Sequence, residues 1–123
     1  MITFFDTTAF GSFNREKRGL IVQQPWLNLI LSGQKTMDLR SSTTHIRGDV
    51  AILHDGKIWG YVDLYDVIGP MSQAEIMYRE EEHKVPYQSI GNYDYGWKFR
   101  NLRLLKKPRK YKHPQGAQIW VKL

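Results

Sequence analysis

The sequence predicts a mixed α/β (α+β) domain, and three observations lead to that prediction. Apolar and polar side chains alternate along residues 35–40 with the two-residue period of a half-buried strand, and residues 57–68 predict a long return strand with Ile58, Val62 and Leu64 on one face. The dipeptide Asp55-Gly56, just before the second of these segments, is typical of a tight β-hairpin turn. Two short segments, 25–32 and 72–83, carry helix signals instead.

A short strand and a compact helix precede the first alternating segment. The apolar run 20–22 predicts a buried strand, and Pro25 suits the first position of the helix that follows. Gly33 can end this helix in a left-handed conformation. One helical face is apolar and is formed by Trp26, Leu27, Ile30 and Leu31.

The segment after this helix is the candidate functional site. On a strand, Thr36, Asp38 and Arg40 share one face, and Lys35 stands in the turn before them. Two cations, a hydroxyl and an anion then converge. An ordinary interpretation also fits, because Asp38 and Arg40 could form a surface pair worth ~0–1 kcal/mol, with Lys35 near the negative end of the helix dipole.

Four residues of this segment, Gly33, Lys35, Asp38 and Arg40, form a motif. The motif resembles the pattern Gly-x-Lys-x-x-Glu-x-Arg of the ASCH domain family, with aspartate in place of the usual glutamate. The aspartate keeps the charge and shortens the reach of the carboxylate by one methylene. Other segments similar to the family follow in the right order from residue 19 to 123: Gln24-Pro25-Trp26, Arg47-Gly48, residues 60–68 and residues 116–120.

The resemblance implies a PUA-like small β-barrel of five or six strands with two short helices, in a superfamily where many members bind RNA. We therefore expect residues 19–123 to form a single ASCH/PUA-like domain. Residues 1–18 are expected to be an N-terminal extension, partly packed or flexible, with phenylalanines that can form a lead-in strand. Its longest apolar run is Phe4-Phe5, so it predicts neither a signal peptide nor a membrane span.

Composition excludes several chemistries. The chain has no cysteine, so it has no disulfide, no thiol nucleophile and no cysteine-based zinc site, which fits a cytoplasmic protein. His45 is interpreted as a loop residue at the rim of the site, and His54 and His113 have no spacing that indicates a metal. We expect neither a cofactor nor a metal, and the net charge of +6 favours polyanionic partners.

The second half of the chain begins with a capping box, Ser72-Gln-Ala-Glu75, which opens a helix to about His83. A loop over residues 84–95 follows and is long enough to be functional. A strand over 96–105, a basic loop and a closing strand over 116–123 complete the prediction, with Trp97, Phe99 and Trp120 interpreted as core residues.

Charge is polarised towards the C-terminus. No acidic residue follows Asp94, yet nine of the eighteen lysine and arginine residues do. Cations interleaved with aromatic rings are typical of a nucleic-acid surface, although solvated charges on a loop would have the same composition. We call eight of these residues the basic strip: Lys98, Arg100, Arg103, Lys106, Lys107, Arg109, Lys110 and Lys112.

Binding of RNA, of another single-stranded nucleic acid or of a nucleotide is the predicted function. Arg40 can grip a phosphate bidentately, Lys35 supplies a point charge, and Asp38 orients Arg40 or accepts from a base. Gln24, Ser41 and Arg47 are expected to border the same site. The basic strip would extend it, and we expect no membrane partner.

Enzymatic alternatives use the same residues. With Lys35, Asp38 and Arg40 as catalytic residues, the chain would be a metal-independent ribonuclease, an activity found among members of the resembled family. Another branch of that family removes acyl groups from modified cytidine with a threonine nucleophile, but Asp38 stands at the threonine position. Thr36, Ser41 or Thr43 would have to replace it. A coregulator-type interaction module is a further alternative that the resemblance allows.

Overall fold

The computed structural model describes residues 3–5, as backbone, and 18–123. They form seven strands, three short α-helices and one 3₁₀ turn over Tyr87–Ser89. The α-helices are α1 (Trp26–Leu31), α2 (Gln73–Tyr78) and α3 (Glu80–His83). The strands are β1 (Thr3–Phe5), β2 (Arg18–Ile21), β3 (Met37–Arg40), β4 (Gly48–His54), β5 (Lys57–Ile68), β6 (Tyr95–Lys110) and β7 (Trp120–Lys122).

All seven strands belong to one sheet with the order β1-β6-β5-β4-β2-β7, and β3 pairs separately with β6. The β1–β6 and β2–β4 pairs are parallel, and the others are antiparallel. The sheet curls so strongly that Trp97 of β6 stacks on Trp120 of β7, with ring centroids 5.6 Å apart. This curled sheet with short helices confirms the predicted fold class.

The hairpin between β4 and β5 has the predicted turn. Asp55 and Gly56 have φ values of 53° and 69°, the two positive angles that a type I′ turn requires. Gly60 lies at a register shift between β5 and β6, where a Cβ atom would stand 2.5 Å from the carbonyl oxygen of Arg103. The backbones of β5 and β6 therefore approach closely at this glycine.

The core has three parts. The largest lies inside the curled sheet, where Leu27 and Ile30 of α1 pack against strand residues such as Val62 and Leu64. A second cluster joins Ile58 to other buried residues of the sheet, and a third packs Ile76 of α2 and Val85, just after α3, against Met37 and Leu39 of β3. The third cluster positions the site, because it ties the segment that follows α3 to β3.

Several predicted boundaries differ from the observed ones. Pro25 is the N-cap of α1 and not its first helical residue. The predicted second helix is divided at Arg79, where φ is −98° and ψ is 17°, into α2 and α3. The basic segment after residue 105 continues β6 to Lys110 because the long strand β5 pairs with it, and the closing strand is shorter, Trp120–Lys122.

The N-terminal extension is described only in part. Thr3–Phe5 pair in parallel with residues 103–105 of β6. Arg18 begins β2, whereas Phe10, Phe13, Arg15 and Lys17 lie outside the described residues. The division at residue 18 remains a prediction. Within the described ranges, no helix is long and apolar enough to cross a membrane.

Candidate nucleotide-binding cleft

Backbone hydrogen bonds hold Lys35 at the junction of three elements. Its own N–H donates to the carbonyl of Leu29 in α1, and the next N–H, that of Thr36, donates to Glu82 in α3. The Thr36 carbonyl then accepts from Phe99 of β6. These contacts fix the short segment between α1 and β3, so the Lys35 side chain enters the space between the sheet and α3.

The Lys35 ammonium is buried, with only 2% of the residue exposed. Its Nζ donates to the carbonyl oxygen of His83 at 2.5 Å and lies 3.7 Å from Asp38 Oδ1. The Trp26 ring centroid is 5.1 Å away. Burial lowers the pKa of Lys35 from 10.5 to about 8, an effect that Asp38 opposes and Arg40 reinforces. Slightly above physiological pH, the Lys35 side chain is therefore neutral in part of the molecules.

Asp38 and Arg40 form a close pair beside Lys35. Arg40 Nε donates to Asp38 Oδ2 at 2.6 Å, and Arg40 Nη2 donates to the carbonyl of Ile21 at 3.1 Å. Asp38 is only 5% exposed, whereas 20% of the Arg40 side chain remains exposed. The Arg40 guanidinium also lies 5.3 Å from the Trp97 ring centroid. The pair is therefore part of a buried network and not an ordinary surface salt bridge.

His83 supports Lys35 from behind, a role that the sequence did not indicate. Its ring is fully buried, with Nδ1 accepting from the Val85 N–H at 2.9 Å and Nε2 lying 2.7 Å from the Ile76 carbonyl. This arrangement requires the neutral tautomer with hydrogen on Nε2. Burial also lowers the pKa of His83, which favours the same neutral form. Both ring nitrogens are satisfied, so His83 holds its carbonyl oxygen in place.

These side chains line an open cleft of about 320 Å³, which we call the Lys35 cleft. Its floor carries two cations and one anion, and its walls are mainly apolar. The loop between α3 and β6 contributes Val85, Ser89 and Tyr93, and its functional role remains a prediction. The other lining residues are Ile21, Val22, Gln23, Trp26, Lys35, Asp38, Leu39, Arg40 and Gln118.

Three predicted border residues do not line the Lys35 cleft. The Gln24 amide is exposed and exchanges hydrogen bonds with Asn28 of α1. Arg47 donates to the carbonyls of its own loop, at Thr44 and Ile46, and Ser41 is exposed beyond the end of β3. Their part in ligand binding remains a prediction, and Gln23 occupies the place expected for its neighbour Gln24.

The hydroxyls considered as nucleophiles also lie elsewhere. Thr36 lines a neighbouring cleft, whose lining also includes Lys35 and Phe99, and Thr43 is exposed in the loop before β4. Thr36 precedes β3, which begins at Met37, so strand alternation does not carry its side chain to the face of Asp38.

The basic strip divides into two groups. Arg100 and Arg103 form ion pairs with Asp63 and Asp49 across the sheet, and Lys98 and Arg100 flank the Tyr65 ring. The second group is exposed at the end of β6 and just beyond it, and it forms no ion pair with any described residue: Lys106, Lys107, Arg109, Lys110 and Lys112.

No group of histidine, aspartate and glutamate side chains within the described residues is arranged to hold a metal ion. His54 instead lies 2.9 Å from the Val22 carbonyl through Nδ1, and His113 contacts the Tyr111 hydroxyl. His45 is exposed in the loop before β4.

Comparison with known proteins identifies the family. The family model of the ASCH domain matches residues 20–115. This range is most of the chain, and it includes the motif of Gly33, Lys35, Asp38 and Arg40. The chain belongs to the ASCH domain family. No curated protein matches the ASCH chain at the sequence level.

Solved structures agree with this assignment. The ASCH protein of Zymomonas mobilis superposes with a TM-score of 0.67 at 13% identity, covering 89% of each chain. A serine-to-alanine variant of that protein superposes with a TM-score of 0.69 at 15% identity, again over 89% of each chain. A tyrosine-to-phenylalanine variant gives 0.66 at 14% identity, over 89% of this chain and 91% of the other. At such identities the likeness concerns the fold.

Proposed function

We propose that this ASCH domain binds single-stranded RNA, with one nucleotide in the Lys35 cleft and neighbouring phosphates on the exposed part of the basic strip. The observation that carries the proposal is the Arg40 guanidinium at the edge of the cleft. Asp38 and the Ile21 carbonyl use only two of its N–H groups. The remaining ones have no hydrogen-bond partner among the described residues and suit a phosphate.

The cleft also offers surfaces for a base. Tyr93 is 47% exposed at its rim, and the Trp26 ring forms part of its wall. Unpaired bases of single-stranded RNA stack on such rings, whereas the bases of a duplex are already stacked on one another. Asp38 keeps Arg40 oriented, so little side-chain entropy is lost on binding.

Arg40→Ala tests the phosphate contact. We expect its affinity for a fluorescently labelled single-stranded RNA to fall by about tenfold or more, because a charge-assisted hydrogen bond contributes about 1.5–3 kcal/mol. Arg79→Ala is the matched control, since Arg79 pairs with Glu82 away from the cleft. Equal affinities for Arg40→Ala, Lys35→Ala and the parent, with all variants folded, would remove the cleft from the proposal.

A second candidate, a metal-independent ribonuclease, is favoured by the lowered pKa of Lys35. In this reaction neutral Lys35 takes the proton of a ribose 2′-hydroxyl, and the 2′-oxygen attacks the adjacent phosphorus. Arg40 stabilises the charge on the pentavalent phosphorus, the 5′-oxygen leaves with a proton from solvent, and a 2′,3′-cyclic phosphate forms.

Lys35→Arg separates binding from catalysis, because arginine keeps the positive charge and cannot lose its proton. For a ribonuclease, we expect this variant to bind RNA and to lose turnover, and the parent rate to rise with pH around the Lys35 pKa of about 8. Gel analysis of cleavage with and without chelator, with 2′-O-methyl RNA as control, makes the measurement. Binding without cleavage in the parent would leave a binding module.

Hydrolysis of an acylated cytidine is supported less well. Thr36, Ser41 and Thr43, the hydroxyls that would replace the absent threonine, do not line the Lys35 cleft. We therefore place this activity behind the other two.

A further inference from the structure

A second cleft adjoins the Lys35 cleft. It has a volume of about 440 Å³, and we call it the Tyr111 cleft. Ile21, Gln23 and Gln118 line both clefts, so the two are neighbouring parts of one groove. The remaining walls come from the β4–β5 hairpin and from the segment after β6: His54, Asp55, Gly56, Tyr111, His113 and Ala117.

The outer wall of the Tyr111 cleft is held in place. The Tyr111 N–H donates to the Gly56 carbonyl at 3.1 Å, which fastens the segment after β6 to the hairpin. The Tyr111 hydroxyl lies 2.6 Å from His113 Nδ1, and the two rings meet edge to face at a centroid distance of 5.6 Å. The Tyr111–His113 pair of rings therefore lines a half-polar space at the end of the groove.

Two lysines adjoin this end of the groove, outside the lining of the Tyr111 cleft. Lys110 and Lys112 flank Tyr111 in sequence, are exposed and have no ion pair with a described residue. Asp55 is the carboxylate of the lining, and it can accept hydrogen bonds from hydroxyl or amino groups. Aromatic rings between cations are the usual arrangement for one unit of a single strand.

We propose that the Tyr111 cleft is a second nucleotide subsite, so that the ligand of this domain is an oligonucleotide of at least two units and not a free nucleoside. One unit occupies the Lys35 cleft, and its neighbour lies against the Tyr111–His113 pair with its phosphate near Lys110 and Lys112. The proposal rests on the proposed function, because it extends the same groove.

The test compares uridine monophosphate with the dinucleotide pUpU and its deoxy counterpart, by calorimetry with the full chain. We expect pUpU to bind at least about tenfold more tightly than the mononucleotide. Tyr111→Ala should reduce that advantage by about five- to tenfold, since stacking on the ring is lost, and should leave mononucleotide affinity unchanged. Unchanged mononucleotide binding also shows that the variant is folded.

Tyr87→Ala is the matched control, because Tyr87 is 48% exposed and lines neither cleft. Tyr111→Phe should bind like the parent if the ring is what matters. Equal affinity of the parent for UMP and pUpU, or an equal loss of both in Tyr111→Ala, would overturn the second subsite. If Arg40-dependent UMP binding persists in that case, the proposed function survives, whereas absence of all binding overturns both.

Discussion

Lys35 places an ammonium group where only 2% of the residue is exposed to water. A buried charge costs free energy, and its partners, the His83 carbonyl and Asp38, offset that cost only in part, because the pKa still falls to about 8. An apolar side chain of similar length would fill the same space without this cost. A buried ionisable group with a lowered pKa beside a cleft is a candidate functional group, which is the role proposed for Lys35.

Lys35→Met tests the cost of this charge. The folded state releases the Lys35 proton near pH 8, whereas the unfolded chain holds it to about 10.5. Between these values the unfolded state binds more protons, so the Lys35 contribution to the free energy of unfolding rises with pH. We expect the free energy of unfolding of the parent, minus that of Lys35→Met, to increase from pH 7.5 to 10 by at most about 3 kcal/mol. Denaturant titrations at four pH values measure it, and a flat difference would contradict the burial argument.

At the residue scale, the spacing of Lys35, Asp38 and Arg40 was enough to predict that they come together. It could not predict that Lys35 is buried, because its main partner, the His83 carbonyl, lies 48 residues away in sequence. Gln118 and Tyr93 also line the cleft, although both are far from Lys35 in sequence. Gln24, by contrast, exchanges hydrogen bonds with Asn28 of α1, and its part in ligand binding stays a prediction.

Among the elements, α2 depends on its predicted capping box. Ser72 accepts from the Glu75 N–H, and Glu75 accepts from the Ser72 N–H. We expect Ser72→Ala to lower the free energy of unfolding by about 1 kcal/mol. Thr43→Ala, an exposed change in another loop, is the control. Equal unfolding midpoints for the two variants would show that α2 does not need the cap.

The β5–β6 ladder depends on Gly60. A methyl group there would press on the Arg103 carbonyl and on Leu104, which are backbone neighbours that cannot rotate away. We expect Gly60→Ala to destabilise the domain by about 1–3 kcal/mol. Thermal or denaturant unfolding measures the loss. A variant as stable as the parent would mean that β6 moves aside easily.

Local signals predicted the elements that local chemistry determines, such as the Asp55-Gly56 turn and the start of α2. They failed for the end of β6, where lysines and Pro108 are typical of a loop. The pairing of Lys57 with Lys110 and Ile58 with Arg109 overrides that preference. A register shift leaves residues 105–108 opposite a single residue of β5, and such an irregularity tolerates a proline.

For the whole molecule, the asymmetry of charge makes a prediction about salt. Replacing Lys106, Lys107 and Lys110 together by glutamine should weaken RNA binding and reduce the slope of log K against log salt by ~0.7 for each phosphate that the variant no longer neutralises. Affinity for a mononucleotide in the Lys35 cleft should not change. The control replaces Lys57 and Lys84 by glutamine. An unchanged slope would show that the strip does not touch the ligand.

The curl of the sheet also gives the protein an optical property. The indole rings of Trp97 and Trp120 lie nearly parallel, with an interplanar angle of 15°, across strands that are not neighbours in the sheet. Electronic transitions of rings held so closely couple and produce a paired band in circular dichroism. Because β7 carries Trp120 and Gln118 lies just before it, this band should disappear whenever β7 detaches beside the Lys35 cleft. The ring pair is therefore an expected spectroscopic marker of the contact between β6 and β7, without any added label.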